Sequence, residues 1–420
     1  MTPEGSTHVP SFTGTTSSFS RTASGESSSD PGGRRGRSRT FCPACPPLWS
    51  GSRATATSAF LYPARGPLYD RAELRRWSLV EGSNAMEHRL FDLGDFVLQK
   101  GSVLPSARLG YTTLGALNEA KDNVVICPTW FTATPTDTAT WMTGEDRALK
   151  PSRYFIIVPN HFGAAVSSSP SNTPPPYGRS TFPRVTAYDN INAQYRLVTE
   201  EFGIEKIRLV SSWSMGAAQT YAWAALHPEM VQAIAPISGS ARTAHYNRVF
   251  LHALIRAITT DTDWNDGFYG DKPPVRGLRT FASIYAGWGF SEAFYREELY
   301  RGFGATSAEE FIEIFWEPFF LKCDANDLLA QIRTWMHNDL GDHPNFGGDF
   351  DRALGAIRAR TIIMNAETDR YFPPVDSEYE ASHIPGASTR PIPTVWGHLA
   401  PFNPTDQQFI DRGIAELLGD

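Results

Sequence analysis

Three residue types, met in one order along the chain, can do chemistry together. The first lies in Val210-Ser211-Ser212-Trp213-Ser214-Met215-Gly216-Ala217-Ala218-Gln219, which follows a short apolar run and opens a helical pattern ending near His227-Pro228. A serine on a tight strand-to-helix turn is a nucleophile elbow, because the strained turn lifts the hydroxyl clear at the carboxyl edge of a sheet. Strand and helix pass close there, so the positions two before and two after must be small. The usual form is G-x-S-x-G. Here those positions are Ser212 and Gly216, a version relaxed on the N-terminal side. The pentapeptide alone leaves open a packing turn in which Ser214 merely caps the helix. A dinucleotide-binding G-x-G-x-x-G loop fails, since Trp213 and Met215 stand where glycines would be.

An elbow needs an acid and then a base further along the chain. The next strand-like run after a long interruption is Thr361-Ile362-Ile363-Met364-Asn365, followed by Ala366-Glu367-Thr368-Asp369-Arg370-Tyr371-Phe372-Pro373-Pro374. Asp369 stands in the loop past that strand, where the acid belongs. Glu367 is the weaker alternative, too close to the strand. A further strand at about 390–395 leads to Trp396-Gly397-His398-Leu399-Ala400-Pro401-Phe402, and His398 precedes the last helix. His227 ends the elbow's helix, His383 precedes a Pro-Gly turn, and His245, His252, His337 and His343 fall in the interruption. In this arrangement His398 takes the proton of Ser214 during attack on an acyl carbonyl and returns it to the leaving group. Asp369 fixes the imidazole tautomer. Met215 supplies one oxyanion N–H. The second comes from Pro128-Thr129-Trp130-Phe131, with Trp130 preferred, Phe131 second, and Pro128 excluded because it has no N–H.

The elements that must hold these groups alternate. Strands are expected at 91–98, 108–113, 123–127, 154–158, 207–211, 233–237 and 361–364, and helices at 191–201, 217–226 and 405–418. Continuous β-branched runs fit strands buried on both faces of a parallel sheet. The fold class is therefore α/β, a mostly parallel wound sheet. Residues 241–360 break the rhythm with helical pattern and crowded aromatics, among them Trp264, Tyr285, Trp288, Phe315, Trp316 and Trp335. They read as a helical lid inserted before the strand that carries the acid. Most of the rings form the insertion's own core, and a few are left to line an apolar pocket.

The whole chain has 420 residues and a net charge of −7, which argues against a general nucleic-acid binder. No run of 18 apolar residues suggests a membrane span. Residues 1–85 hold ten arginines, no lysine and six acids, so they carry +4 and the remainder −11. Rich in Ser, Gly and Arg, this extension reads as disordered, and Met86 opens the catalytic domain, 86–420. Cys42-Pro43-Ala44-Cys45 lacks a second ligand pair and reads as incidental. The extension has no secretory apolar core. A cytoplasmic location is expected, with mitochondrial import as the lesser alternative. No cofactor or metal is expected.

The ordered motifs resemble the homoserine O-acetyltransferase-like group of α/β-hydrolases, in the manner of its fungal-type hydrolase and acyltransferase relatives. The resemblance spans about residues 91–418. It is carried by Leu109-Gly110-Tyr111-Thr112-Thr113-Leu114-Gly115, Asn160-His161-Phe162-Gly163, Phe182-Pro183-Arg184-Val185-Thr186, Asp189 with Gln194, Ser214-Met215-Gly216 with Gln219, Asp324-Ala325-Asn326-Asp327-Leu328-Leu329, and Asp369 with Phe372-Pro373-Pro374. It implies a small acyl substrate, acyl-CoA as a donor in the transferase case, and a homodimer through the lid. Two departures bear on activity. The family's acetyltransferases have Gly-Gly before Ser-Met-Gly-Gly, where this chain has Ser212-Trp213 and Ala217. They follow Gly-His with an aspartate suited to the substrate's ammonium, and Leu399 stands there instead. An ammonium left unpaired in a closed pocket is costly to desolvate. The expectation is a serine hydrolase acting on an ester or thioester, with O-acyl transfer through the same acyl-enzyme as the alternative. A non-catalytic binding protein of this fold would be expected to lack a triad member.

Overall fold

The computed structural model describes residues 87–419. The extension 1–85, with the expectations of disorder, incidental cysteines and import attached to it, lies outside the described residues. Along the chain run β1 (Arg89–Val97), β2 (Val103–Leu114), β3 (Val124–Ile126), α1 (Pro135–Met142), β4 (Phe155–Pro159), α2 (Ala187–Arg196), β5 (Leu209–Trp213), α3 (Met215–Leu226) and β6 (Ala233–Ile237). Then come α4 (His245–Thr259), α5 (Val275–Gly289), a series of short helical turns, α6 (Ala325–Met336), α7 (Phe350–Gly355), β7 (Arg360–Ile363), α8 (Pro374–His383), β8 (Ser388–Thr389) and α9 (Pro404–Leu418). The strands form one sheet in the order β1-β2-β4-β3-β5-β6-β7-β8. Only β1–β2 and β2–β4 pair antiparallel; from β4 to β8 the sheet is parallel. This is the expected wound sheet.

The apolar runs are continuous because each strand feeds two cores. Side chains alternate across a sheet. Val125, Ile156, Val158 and Leu209 enter one cluster, while Val124, Ile126, Phe155, Ile157 and Val210 enter the other. The first cluster extends from the sheet into the aromatic helices, through Phe250, Phe281, Tyr285, Phe290, Trp316 and Trp335. The second takes in α2 and α3, and also Leu340, Phe346, Phe350 and Leu354 from the end of the inserted stretch.

Two expected strands are corrected. The strand at 207–211 is shifted: β5 runs on to Trp213, pairing Ser211, Ser212 and Trp213 with Ala235, Pro236 and Ile237, while Ile207 makes only a bridge to Val231. The strand at 390–395 shrinks to Ser388–Thr389 plus a bridge from Ile392 to Ala366. Pro391 and Pro393 carry no N–H and interrupt the ladder. The backbone nevertheless stays beside β7, because Arg390 and Ile392 donate to Ile363 and Asn365.

Glu380 on α8 is buried, and its Oε1 accepts from the Ala241 N–H at 2.7 Å, tying α8 to the loop after β6. Burial pushes its carboxyl up to about 8, against smaller opposing contributions from Tyr221 and that N–H. A carboxyl that titrates higher when folded binds its proton more tightly in the native state. Its contribution to stability is therefore complete below the ordinary carboxylate range and is lost as pH rises to about 8. Urea unfolding of Glu380→Gln beside the parent should show the variant gaining in relative midpoint between pH 5 and pH 8. Equal midpoint differences at the two pH values would contradict the buried-acid assignment.

Candidate active site

The elbow is built by close approach. Ser214 sits at φ 58°, ψ −124°, a region that costs strain for any residue with a side chain. A Cβ on Gly216 would lie 2.3 Å from Ser212 Oγ and 2.5 Å from the Pro128 carbonyl oxygen, so only glycine fits. The relaxed position is used differently from a glycine. The Ser212 hydroxyl donates to that same Pro128 oxygen at 2.5 Å, joining β5 to the loop after β3.

The structure brings the three predicted residues together. The His398 ring meets Ser214 Oγ through Nε2 at 2.8 Å and Asp369 Oδ2 through Nδ1 at 2.8 Å. The carboxylate accepts, so Nδ1 carries the proton and Nε2 accepts from the Ser214 hydroxyl. The other carboxylate oxygen of Asp369 accepts from the Tyr371 and Phe372 N–H groups at 2.8 and 3.1 Å. Those two bonds fix the carboxylate plane. Glu367, the weaker alternative, is exposed and outside this chain of bonds. Ser214, His398 and Asp369 are 2%, 0% and 5% exposed, so the relay lies under the surface.

The predicted oxyanion donors lie on the two sides of the elbow. Met215 opens α3, where N–H groups have no helical partner. Trp130 lies in the loop after β3, whose carbonyls are spoken for: Thr129 O accepts from Gln219 Nε2 at 2.9 Å, and Trp130 O from the Ala133 N–H at 3.1 Å. Gln219 is itself held by Gln194, at 2.6 Å, and Gln194 by the Trp223 indole N–H, at 2.8 Å. The loop is thereby hung from the elbow helix.

Sequence reasoning missed three positioning groups. Gln331 on α6 accepts from the Thr132 N–H at 2.9 Å and meets His161 Nε2 at 3.3 Å, while His161 Nδ1 meets Thr129 Oγ1 at 2.9 Å. Burial pushes the His161 imidazole down to about 4, which leaves it neutral at ordinary pH. Its Nε2 then donates to the amide oxygen, and its Nδ1 accepts from Thr129. A signal existed: an amide set among Leu328, Ile332 and Trp335 on the apolar face of a helix. The third is Trp213. Its indole N–H donates to the His398 carbonyl at 2.9 Å, and its ring lies 4.6 Å from the imidazole and 5.1 Å from the Trp130 ring.

Leu399, the residue after His398, is buried in the aromatic cluster. Gly289 and Trp316 are its neighbours: a Cβ on Gly289 would lie 3.1 Å from the Leu399 side chain and about as close to the Trp316 ring. Burial pushes the Cys127 and Cys323 thiols up to about 12, which leaves them poor nucleophiles. Among the described residues, no group of His, Cys, Asp and Glu is arranged to hold a metal ion.

Comparison with known proteins places this geometry. Residues 122–403 match the α/β hydrolase fold family. The chain is 38% identical over 333 residues to an ethyl acetate hydrolase of Pseudomonas veronii, covering 78% of this chain and 95% of that one. It is 30% identical over 333 residues to a homoserine O-acetyltransferase of Chlorobaculum tepidum, covering 76% and 91%. Among solved structures, that of the acetyl esterase MekB superposes with a TM-score of 0.77 at 36% identity, covering 80% of this chain and 97% of the other. The chain thus belongs to the α/β-hydrolase fold family, as an enzyme of the homoserine O-acetyltransferase-like type.

Proposed function

We propose that the protein is an esterase that cleaves small acyl esters or thioesters through a Ser214 acyl-enzyme. The observation that carries this reading is the unbroken relay Ser214–His398–Asp369, with both links at 2.8 Å. His398 takes the hydroxyl proton as Ser214 attacks the carbonyl, and Asp369 stabilises the imidazolium that results. The N–H groups of Met215 and Trp130 receive the developing oxyanion. Collapse expels the alcohol or thiol with the proton from His398. Water, activated by the same histidine, then releases the acid. Residues 241–360 act as the lid, and the aromatic rings that continue from it into the site favour a small uncharged substrate.

Similarity to both ethyl acetate hydrolase and homoserine O-acetyltransferase supports acyl chemistry. The choice of hydrolysis rests on Leu399, because an apolar side chain next to the base offers a substrate ammonium no partner. In the alternative, acyl-CoA donates and an uncharged alcohol accepts. No helix among the described residues is long and apolar enough to cross a membrane, and we place the enzyme in the cytoplasm. A homodimer through the lid follows from the family resemblance.

A fluorophosphonate probe should label the protein and fail to label Ser214→Ala, and p-nitrophenyl acetate turnover should fall by about 10⁴-fold or more in that variant and in Asp369→Asn. Labelling that persists without Ser214 would refute the nucleophile. With acetyl-CoA and homoserine, free CoA should form no faster than with acetyl-CoA alone; rapid acetylhomoserine formation would overturn the role given to Leu399.

Trp213 should behave as a positioning residue. Trp213→Phe keeps a ring and removes the bond to the His398 carbonyl, so kcat should fall about tenfold with KM within twofold. A raised KM at unchanged kcat would mean that Trp213 only shapes the acyl pocket.

A further inference from the structure

We propose that a cavity walled in part by α6 is a binding site for a small amphiphile with an anionic head, a carboxylate or a phosphate monoester. The cavity has a volume of about 320 Å³ and is walled by the loop that follows β4, by α4 and by α6. Phe162, Phe182, Val185, Ile255 and Met336 give it an apolar floor. Arg179, Arg184 and Arg333 line it, and no aspartate or glutamate does. None of Ser214, Asp369, His398, Met215 or Trp130 reaches it.

Arg333 is the telling group. It is only partly exposed, and burial lowers its guanidinium from the ordinary value with no nearby carboxylate to offset the effect. Among the described residues its side chain has no hydrogen bond or ion pair; the same holds for Arg179 and Arg184, which are exposed at the cavity's edge. The contrast is Arg147, also only partly exposed, whose guanidinium is held by Asp411 at 2.6 Å and by the Trp141 carbonyl. A desolvated cation without a counter-ion is costly, and an anion brought to it recovers charge-assisted hydrogen bonds. Arg179 is also held at φ 58°, an uncommon backbone for a residue with a side chain.

The ligand's size follows from the space. Ligand pockets commonly span roughly 300–1,000 Å³, and this one lies at the lower end. It suits a short alkyl chain with its head group rather than a whole nucleotide cofactor. The head meets the guanidinium groups at the rim, and the chain covers the aromatic and aliphatic floor.

The test is a binding titration on Ser214→Ala protein, in which esters are not consumed, with octanoate, octyl phosphate and octan-1-ol as probes. Binding of octanoate, octyl phosphate or both, at least tenfold tighter than octan-1-ol, is expected, and which of the two wins identifies the head group. Adding Arg333→Met should weaken the anion about tenfold or more and leave octan-1-ol unchanged. Without ligand it should also raise Tm, because an uncompensated cation has been removed. Arg184→Met supplies a second loss of anion affinity should the first variant fold poorly. No saturable binding of either anion at 5 mM, or affinities unchanged by both substitutions, would overturn the proposal.

Discussion

The approach of β5 to α3 at Ser214 is the constraint on which the remaining geometry depends. A hydroxyl can stand clear of both elements only if the chain reverses within one residue, and that places Ser214 at φ 58°. The reversal then demands empty space. Gly216 yields it to Ser212 and Pro128, and Gly239 to Ala217, whose Cβ would lie 2.4 Å from a Cβ added there. The strain is sustained by connections between neighbouring strand ends. Ser212 fastens the loop after β3. Asn365 exchanges hydrogen bonds with the Gly239 backbone and donates to the Phe372 carbonyl, so the loop behind the elbow and the loop of the acid are one assembly. A local cost at the nucleophile is offset by cooperative bonding across four strand ends.

The same assembly explains how a polar relay survives in an aromatic core. Every polar atom of the relay has a partner: the serine in the imidazole, the imidazole in the carboxylate, the carboxylate in two backbone N–H groups. Around them the rings of Trp213 and Tyr371 each lie 4.6 Å from the imidazole. Rings exclude water and lower the local dielectric. That strengthens the bonds made to the oxyanion and makes any unpaired group expensive. A buried relay therefore needs its orientation fully determined: Trp213 holds the His398 backbone, while Gln219 and Gln331 hold the loop after β3.

Legibility in the sequence followed the range of the interactions. The sheet was readable because burial on two faces leaves a local mark, the unbroken β-branched run. The meeting of Ser214, Asp369 and His398 was readable because chain order and strand ends are topological. What escaped was set by distant partners. Ser212-Trp213 looks like turn sequence, yet it pairs in the ladder with Pro236 and Ile237 of β6. Pro391 and Pro393 leave a strand-like path without a full ladder. Trp213 gains its role only when His398, far along the chain, folds back onto it. The cavity beside α6 could not be read either, since its arginines come from separate segments and look like ordinary solvated charges.

Helix α6 shows how the site and that cavity share one rigid element. At 3.6 residues per turn, Gln331 and Trp335 fall on one face, and Ala330, Arg333 and His337 on a face turned well away from it, with Thr334 between. The first face reaches the oxyanion loop, through Thr132 and through the Trp335 ring 5.9 Å from that of Phe131. The second lines the cavity. Asp324 caps the helix by accepting from the Asn326 and Asp327 N–H groups, and Tyr269 in turn donates to Asp324 at 2.7 Å. The helix is thus pinned at its start and packed on both sides. Its rotation about its own axis would move Gln331 and Arg333 together, so the geometry that presents the Thr132 end of the oxyanion loop is the same geometry that presents a guanidinium to the cavity.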